Sequence, residues 1–148
     1  MKKIILGSAL LLTSVLSASN ISAANENDVL NIVRGFGSAY LKKDSYGDPY
    51  IKGRIDGTSY NITFYGCTKH KRCDDIKFHA GWDEKVSLTK VNKWNRTKRF
   101  SKAYLDKDGD VHIGMPVNLD NGVSQENFED TTSMWVKVLG TFKKYIGR

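Results

Sequence analysis

The stretch IKGRIDGTSYNITF, residues 51–64, decides the fold class. Polar and apolar residues alternate on both sides of Asp56-Gly57, which indicates two strands that each bury one face. The residues expected on the buried face are Ile51, Gly53, Ile55, Tyr60, Ile62 and Phe64. An Asp-Gly pair favours a tight turn, because glycine adopts positive φ without a Cβ clash. The sequence therefore predicts an antiparallel hairpin here.

Further strands are predicted on both sides of this hairpin, from alternation and turn residues. They lie at residues 38–43, 75–81, 100–105 and 111–119. Asp108-Gly109 is the expected turn between the last two strands. Pro116 has no N–H to donate, so the last strand is predicted to be an edge strand or to end in a bulge.

Three segments have the spacing of amphipathic helices, at residues 27–36, at residues 84–98 and after the N-cap residue Ser124. In the middle helix, Leu88, Val91 and Trp94 are expected to share one face. The last helix has a stripe made of Phe128, Thr132, Trp135, Leu139, Phe142 and Ile146. The order α-ββββ-α-ββ-α predicts an α+β fold, a small and mainly antiparallel sheet with flanking helices. It argues against a parallel nucleotide-binding sheet.

The chain begins with the features of a secretory signal peptide. Met1-Lys2-Lys3 is basic, Ile4 to Leu16 is apolar, and Ser22-Ala23-Ala24 supplies small residues before a polar junction. We expect removal of residues 1–24, which leaves a single domain at 25–148 in the periplasm or outside the cell. The apolar run is shorter than the roughly 20 residues that span a bilayer, so no stable membrane anchor is expected. An uncleaved N-terminal anchor is the alternative.

The two cysteines of the chain, Cys67 and Cys73, are predicted to form a disulfide, because an exported protein meets oxidising conditions. Closure of so short a loop stabilises a fold by about 2–3 kcal/mol in the chain-entropy model. The alternative is a metal site that includes His70 and His79, which would need reduced thiolates. We favour the disulfide, and we expect no metal and no cofactor.

The sequence contains no recognisable catalytic motif, and we expect a non-enzymatic protein. Residues 106–110 (DKDGD) resemble the start of a calcium loop. An EF-hand needs glycine at position six and an acid at position twelve, where this chain has Val111 and Val117. A hairpin turn is therefore the favoured interpretation. An envelope-polymer hydrolase is a less favoured alternative, with Asp74 and Glu84 as one pair of acids that could be named.

The formal net charge of the full chain is +7. Solubility explains a mild excess of this kind. A basic cluster lies beside Trp94 and Phe100 and consists of Arg96, Lys98, Arg99 and Lys102. Basic residues among aromatic ones can bind nucleic acid. Because an exported protein rarely meets nucleic acid, we expect none as partner, and an acidic protein or an anionic envelope surface or small ligand is favoured.

The most distinctive segments are VNKWNR at 91–96, Arg99-Phe100 and AYLD at 103–106. With YNITFYGC at 60–67, Cys73 and Gly122-Val123-Ser124, they resemble the YbjN-domain family of bacterial sensory transduction regulators, over residues 30 to 147. The resemblance implies a fold like that of the type III secretion chaperones. It implies a chaperone-like or regulatory domain that binds a polypeptide partner, and it allows a homodimer. It transfers no catalytic residues.

Within this block, Trp94 is expected in the core. Asn92, Asn95, Arg96 and Arg99 form the candidate partner surface. The asparagines could instead bind backbone at the helix end, and the arginines could hold a carboxylate inside the fold or outside it. The edge suggested by Pro116 could also take up a partner strand.

Overall fold

A six-stranded antiparallel sheet is the central element of the computed structural model, which describes residues 20–23 and 25–148. The strands are β1 (Asn20–Ile21), β2 (Ser38–Lys43), β3 (Pro49–Ile55), β4 (Thr58–Tyr65), β5 (Asp75–Lys85), β6 (Lys102–Leu105), β7 (Asp110–Asn118) and β8 (Val123–Ser124). The helices are α1 (Glu26–Arg34), α2 (Leu88–Thr97) and α3 (Gln125–Ile146). The large sheet has the order β2-β3-β4-β5-β7-β6, while β1 and β8 pair separately.

The predicted hairpin is present between β3 and β4. Asp56 and Gly57 connect the strands with φ values of 46° and 74°, as a tight turn with positive φ at both central residues requires. Gly53 pairs with Tyr60, and a Cβ at position 53 would overlap the tyrosine ring. The alternation of buried and exposed residues along β3 and β4 confirms the buried face expected from the sequence.

The helices cover one face of the sheet, which confirms the α+β class. The apolar stripe of α3 is buried along its whole length, as the spacing predicted. Trp135 packs against Phe78 of β5 with ring centroids 5.5 Å apart, and Phe142 contacts Trp94 of α2 at 4.8 Å. Each large apolar side chain buried in this way contributes about 1.5–3 kcal/mol, so α3 and the sheet form one core.

The start of α2 differs from the sequence prediction. We expected the helix from residue 84, but β5 continues to Lys85 after a register shift that begins at Trp82. Ser87 then caps the helix by accepting the N–H of Lys90 at 3.2 Å. Leu88 is 66% exposed instead of sharing the buried face, because it lies in the first turn of the helix.

The strand predicted at 100–105 is shorter than expected. β6 begins at Lys102 and pairs with β7 only as far as Gly114. β7 is therefore an interior strand up to Gly114 and has no strand on its β6 side from Met115 onwards. Pro116 lies in this open part, so the expected edge is confirmed for one end of β7 and is wrong for the other.

The short strand β1 was not expected from the sequence. It pairs with β8, and the side chains of Ile21 and Ala23 are buried in the core. Both residues belong to the predicted signal peptide, of which residues 20–23 are described while residues 1–19 and Ala24 lie outside the described residues. Among the described helices, none combines the length and hydrophobicity needed to cross a membrane.

Candidate functional site

The loop between β4 and β5 is closed by a disulfide between Cys67 and Cys73. Thr68 and Lys71 form a bridge inside the loop, and His70 Nδ1 donates a hydrogen bond to Asp48 Oδ1 of the neighbouring turn at 2.8 Å. These contacts attach the loop to the adjacent hairpin. Its cysteines are both engaged with each other, so the loop offers no thiolate for catalysis or metal binding.

Asn95 of the predicted partner surface is tied to the fold. Its side-chain nitrogen donates to the carbonyl oxygen of Ala103 at 3.0 Å, and its oxygen accepts the N–H of Ala103 at 2.8 Å. Trp94, next to it, is buried and donates from Nε1 to Ser101 Oγ at 3.1 Å. Both residues thus fix β6 against α2, which is the backbone-binding alternative considered for Asn95.

The other predicted surface residues do not form one site. Asn92 and Arg96 are exposed and line a shallow cleft with Thr89 and Asn95 on the outer side of α2. Arg99 lies past the end of the helix and lines different clefts, next to α3. The exposed surface around the block is therefore divided between two sides of α2.

Arg99 lines the surface that is best suited to hold a partner molecule. Two clefts of about 470 and 410 Å³ adjoin each other between α3, the segment 98–101 and the open end of β7. They share Arg99, Phe100, Ser101 and Met134. We name the two together the α3 groove. Along α3 it extends from Asp130 to Thr141, which corresponds to roughly 16 Å of helix.

The floor of the α3 groove is apolar. Phe100 is 51% exposed, and Met134 and Val138 are half-buried beside it. An exposed aromatic ring next to a methionine is typical of surfaces that accept varied partners, because the thioether adapts its shape. Exposure of these groups to water costs free energy that an apolar partner side chain would recover.

The rim of the α3 groove is cationic. Its charged residues are Lys98, Arg99, Lys102 and Lys137, with Asp130 as the one carboxylate among the lining residues. None of these five takes part in a salt bridge within the described part of the chain. The ammonium of Lys98 lies 5.6 Å from the Trp94 ring, and the Arg99 guanidinium lies 5.4 Å from the Phe100 ring. The cations are thus positioned over aromatic rings and remain available to a carboxylate.

Strand addition at the open end of β7 is less favourable than the groove. Ala103 gives its N–H to Asn95, so Lys102 and Tyr104 are the β6 residues that exchange hydrogen bonds with β7. By alternation along an antiparallel pair, Pro116 has its backbone oriented toward the open side. Because proline offers no N–H there, an incoming strand would lose one hydrogen bond at the centre of the available edge.

The α3 side of the groove was missed in the sequence. Thr131, Met134, Val138 and Thr141 recur at intervals of three and four, which forms a second, weaker stripe beside the main one. This stripe is half-buried because the segment 98–101 covers it only in part. The sequence signal was present, but its meaning depended on where that segment crosses the helix.

A second polar cluster lies at the turn between β6 and β7. Asp106 accepts the N–H groups of Asp108 and Asp110 at 3.0 and 2.8 Å, and its other oxygen bonds His112 Nε2 at 3.0 Å. The backbone N–H of Asp110 and the His112 ring hold the pKa of Asp106 below its usual value. The carboxylate is thus used within the hairpin turn, as the turn interpretation of DKDGD predicted.

The acid pair and the metal site that the sequence analysis considered are not formed among the described residues. Asp74 directly precedes β5 and Glu84 lies near its end, so the extended strand separates their backbones by roughly 30 Å. The two carboxyl groups of a glycosidase lie only roughly 5–10 Å apart. Glu84 instead pairs with Arg148 at 3.7 Å. No group of three or more histidine, cysteine or acidic side chains in residues 20–23 and 25–148 could hold a metal ion.

Comparisons with known proteins identify a family and a similar solved structure. A family model named YbjN, with the description "Putative bacterial sensory transduction regulator", matches residues 13–148. The chain is also similar to the Yersinia pestis type III secretion chaperone SycH, solved in complex with a stable fragment of YscM2. That similarity has a TM-score of 0.45 and 11% sequence identity, and covers 75% of this chain and 98% of that chain. No curated protein matches the chain.

Proposed function

The chain belongs to the YbjN family, as its sequence resemblance predicted, and we propose that it is a non-enzymatic, chaperone-like or regulatory domain that holds a polypeptide in the α3 groove. The observation that carries this proposal is the combination of an apolar floor and an unpaired cationic rim in one groove. Phe100 and Met134 supply the floor, and Arg99 lies at the centre because it lines both clefts.

The groove specifies the chemistry of the partner segment. Its apolar floor would take one or two large apolar side chains, which would be the main anchors of such a contact. Its rim would take acidic residues on either side of those anchors, because Lys98, Arg99 and Lys137 form no salt bridge with any carboxylate in the described part of the chain. Charge complementarity of this kind increases the association rate and favours acidic partners over basic ones.

We further propose that the protein acts outside the cytoplasm, after export. The basic start, the apolar run and the small residues before the junction support a cleaved leader. The two cysteines support the same compartment, because a disulfide persists under oxidising conditions. The partner would accordingly be a polypeptide of the periplasm or the cell exterior.

A binding experiment tests the proposed function. The probe is reduced, carboxymethylated α-lactalbumin, an acidic polypeptide that stays unfolded, and the readout is fluorescence anisotropy of the labelled probe. We expect saturable binding that weakens about tenfold in Phe100→Ala, since a central aromatic anchor is lost. Leu88→Ala is the matched control, because Leu88 is an apolar residue that is at least as exposed and lies outside the groove.

Two charge-reversal variants distinguish binding in the α3 groove from binding on the outer side of α2. Arg99→Glu should weaken binding of the same probe, while Arg96→Glu should leave it unchanged because Arg96 lines a different cleft. Absence of binding to the probe would overturn the proposal. Stronger weakening by Arg96→Glu than by Arg99→Glu would place the partner on the outer side of α2 with Asn92.

A further inference from the structure

The face of the large sheet opposite the helices carries a concentration of cations, and no helix of residues 20–23 and 25–148 packs on it. Its outward residues include Lys42, Lys52, Arg54, Lys77 and Lys102. Carboxylates that the strand register places on the same face lie at strand ends, such as Asp75 at the start of β5 and Asp110 at the start of β7, where it pairs with Lys85. None of the five cations is in a salt bridge within residues 20–23 and 25–148. The middle of this face is therefore positively charged without internal compensation.

The strand register arranges these residues in two adjacent rows across the sheet. One row is Lys42, Tyr50, Thr63, Lys77 and Pro116. The other is Tyr40, Lys52, Asn61, His79, Gly114 and Lys102. With strands about 4.8 Å apart, the ends of the five-strand row lie roughly 19 Å apart and those of the six-strand row roughly 24 Å apart, and the two rows are roughly 7 Å apart along a strand. We name these two rows the outer band.

The cations of the outer band form two clusters. Lys42 and Lys52 lie on the neighbouring strands β2 and β3, and Arg54 lies beside the outer band, two residues from Lys52 along β3. At the other end, Lys77 extends across β7 over Gly114, where a Cβ would overlap its side chain. Gly114 pairs with Lys102, so the absence of a side chain at position 114 brings two lysines of β5 and β6 together. Like charges on adjacent strands repel each other, and an anion between them would remove that cost.

The centre of the outer band is neutral and polar. Asn61, Thr63 and His79 lie between the clusters, with Thr63 Oγ1 3.0 Å from His79 Nε2. Burial, and then the charges of Lys77 and His112, lower the pKa of His79, so its ring is uncharged near neutral pH. These groups offer hydrogen bonds without charge.

Tyrosines line the outer band at both ends. Tyr40 on β2 and Tyr104 on β6 are exposed, and Tyr50 on β3 is half-exposed. Tyr104 is held by stacking on His112 with centroids 5.2 Å apart and by Lys77, whose ammonium lies 5.3 Å from the ring centroid. Rings with a hydroxyl group present an apolar body and a polar tip, which suits a partner with apolar faces and hydroxyl groups.

We propose that the outer band binds a linear acidic polysaccharide lying across the strands. Its anionic groups would meet the two lysine clusters, and its hydroxyl-bearing rings would lie over the neutral centre and beside the tyrosines. A single-stranded nucleic acid or a polyphosphate carries a charge on every unit, which would place phosphates over the neutral centre. An anionic bilayer would face the whole sheet, including the carboxylates at the strand ends.

The test uses a hyaluronan octasaccharide, in which carboxylate-bearing and neutral rings alternate, and isothermal titration calorimetry. We expect binding that weakens as salt rises, and no binding of a neutral chitin oligosaccharide of equal length. Lys52→Glu should weaken the interaction at least tenfold. Lys93→Glu is the matched control, because Lys93 is an exposed lysine on α2 and makes no salt bridge in the described part of the chain.

A further variant and three other ligands distinguish polysaccharide binding at the outer band from the alternatives. Phe100→Ala should leave hyaluronan binding unchanged, because Phe100 lies outside both rows of the outer band, although the α3 groove and the band share Lys102 and Pro116 at the open edge of β7. The proposal is overturned if hyaluronan does not bind, or if Lys52→Glu and Lys93→Glu weaken it equally. It is also overturned if oligo-dT, polyphosphate or phosphatidylglycerol vesicles bind more tightly than hyaluronan at the same ionic strength.

Discussion

The side-chain amide of Asn95 binds both backbone groups of Ala103, as a neighbouring strand would. It donates to the carbonyl oxygen at 3.0 Å and accepts the N–H at 2.8 Å. Helix α2 thereby closes the outer edge of β6 at this residue. The most distinctive block of the sequence is thus partly structural, and the groove next to it is formed because Asn95 and Trp94 hold the segment between α2 and β6 in place.

Replacement of Asn95 tests that role. Asn95→Ala would leave the N–H and carbonyl of the buried Ala103 without these partners, which should lower the free energy of unfolding by about 1–3 kcal/mol. Urea denaturation measures the change. Asn92→Ala is the control, because Asn92 is exposed on the same helix and should change stability by less than about 0.5 kcal/mol. Equal effects of the two variants would contradict the structural role.

Tyr60 should be replaceable by phenylalanine with a gain in stability. Its hydroxyl is buried and has no hydrogen-bond partner among the described residues, and burial raises the pKa of Tyr60 to about 12. Tyr60→Phe removes the desolvated hydroxyl and keeps the ring against Trp135, so we expect a gain of about 1 kcal/mol in urea denaturation. A loss of that size would show that the hydroxyl is satisfied in solution.

The Cys67–Cys73 disulfide should stabilise the fold, and its reduction should remove that stabilisation. Cys67→Ser should lower the free energy of unfolding by about 2–3 kcal/mol, because the closed loop restricts the unfolded chain. Thermal melting of wild type and variant measures this difference. In the presence of a strong thiol reductant the two proteins should melt together, and a difference that persists after reduction would point to packing of the Cys67 side chain against the core instead.

Stability should fall as the pH drops below about 6.5 because of His79. Its folded pKa lies below the ordinary value of 6.5, so the unfolded chain binds a proton that the folded chain does not. The loss of stability is therefore absent well above pH 6.5 and grows as the pH falls from 6.5 toward the folded pKa. His79→Gln, which keeps a hydrogen-bonding group for Thr63, should flatten this dependence in urea titrations between about pH 7.5 and 5.5. An equal dependence of the free energy of unfolding on pH in wild type and His79→Gln would contradict this role of His79.

Asp106 contributes to the pH dependence at lower values. Its folded pKa is depressed, so its contribution is present above the ordinary carboxyl pKa of 3.8 and is lost as the pH falls through the folded value. The two groups therefore act in different pH ranges, and the range near 6 reports on His79 without interference from Asp106.

The position of the first folded residue should matter for stability. Ile21 and Ala23 are buried, and β1 pairs with β8 at the start of α3. A chain that begins at Asn25 should therefore be less stable than one that begins at Asn20, by about 1–3 kcal/mol for the lost isoleucine. Urea denaturation of the two chains measures this. Equal stability would mean that residues 20–23 add nothing to the core.

The sequence predicted the elements whose signals are local. Alternation around Asp56-Gly57 placed the central hairpin, and the spacing of the α3 stripe placed the longest helix, because both patterns are set by residues within one turn or one strand. The predicted start of α2 at residue 84 was wrong, because the continuation of β5 past Trp82 depends on pairing with β7. The strand β1 was missed, since two residues carry no periodicity.

The candidate site was predicted in part. Arg99 was placed on a partner surface and lies in the α3 groove, but Met134 and Val138 were not recognised, because their exposure depends on where the segment 98–101 crosses α3. The outer band was missed for a related reason. Lys52, Lys77 and Lys102 are far apart in the sequence, and only the strand register brings them into one band.

Methionine methyl NMR with the carboxymethylated α-lactalbumin probe tests the central claim most directly. The methionines in the described part of the chain are Met115, which is buried, and Met134 on the groove floor. If the polypeptide occupies the α3 groove, the Met134 methyl resonance shifts or broadens as the probe is added, and Phe100→Ala suppresses this change. Binding of the probe with the Met134 resonance unchanged would contradict a polypeptide site in the α3 groove.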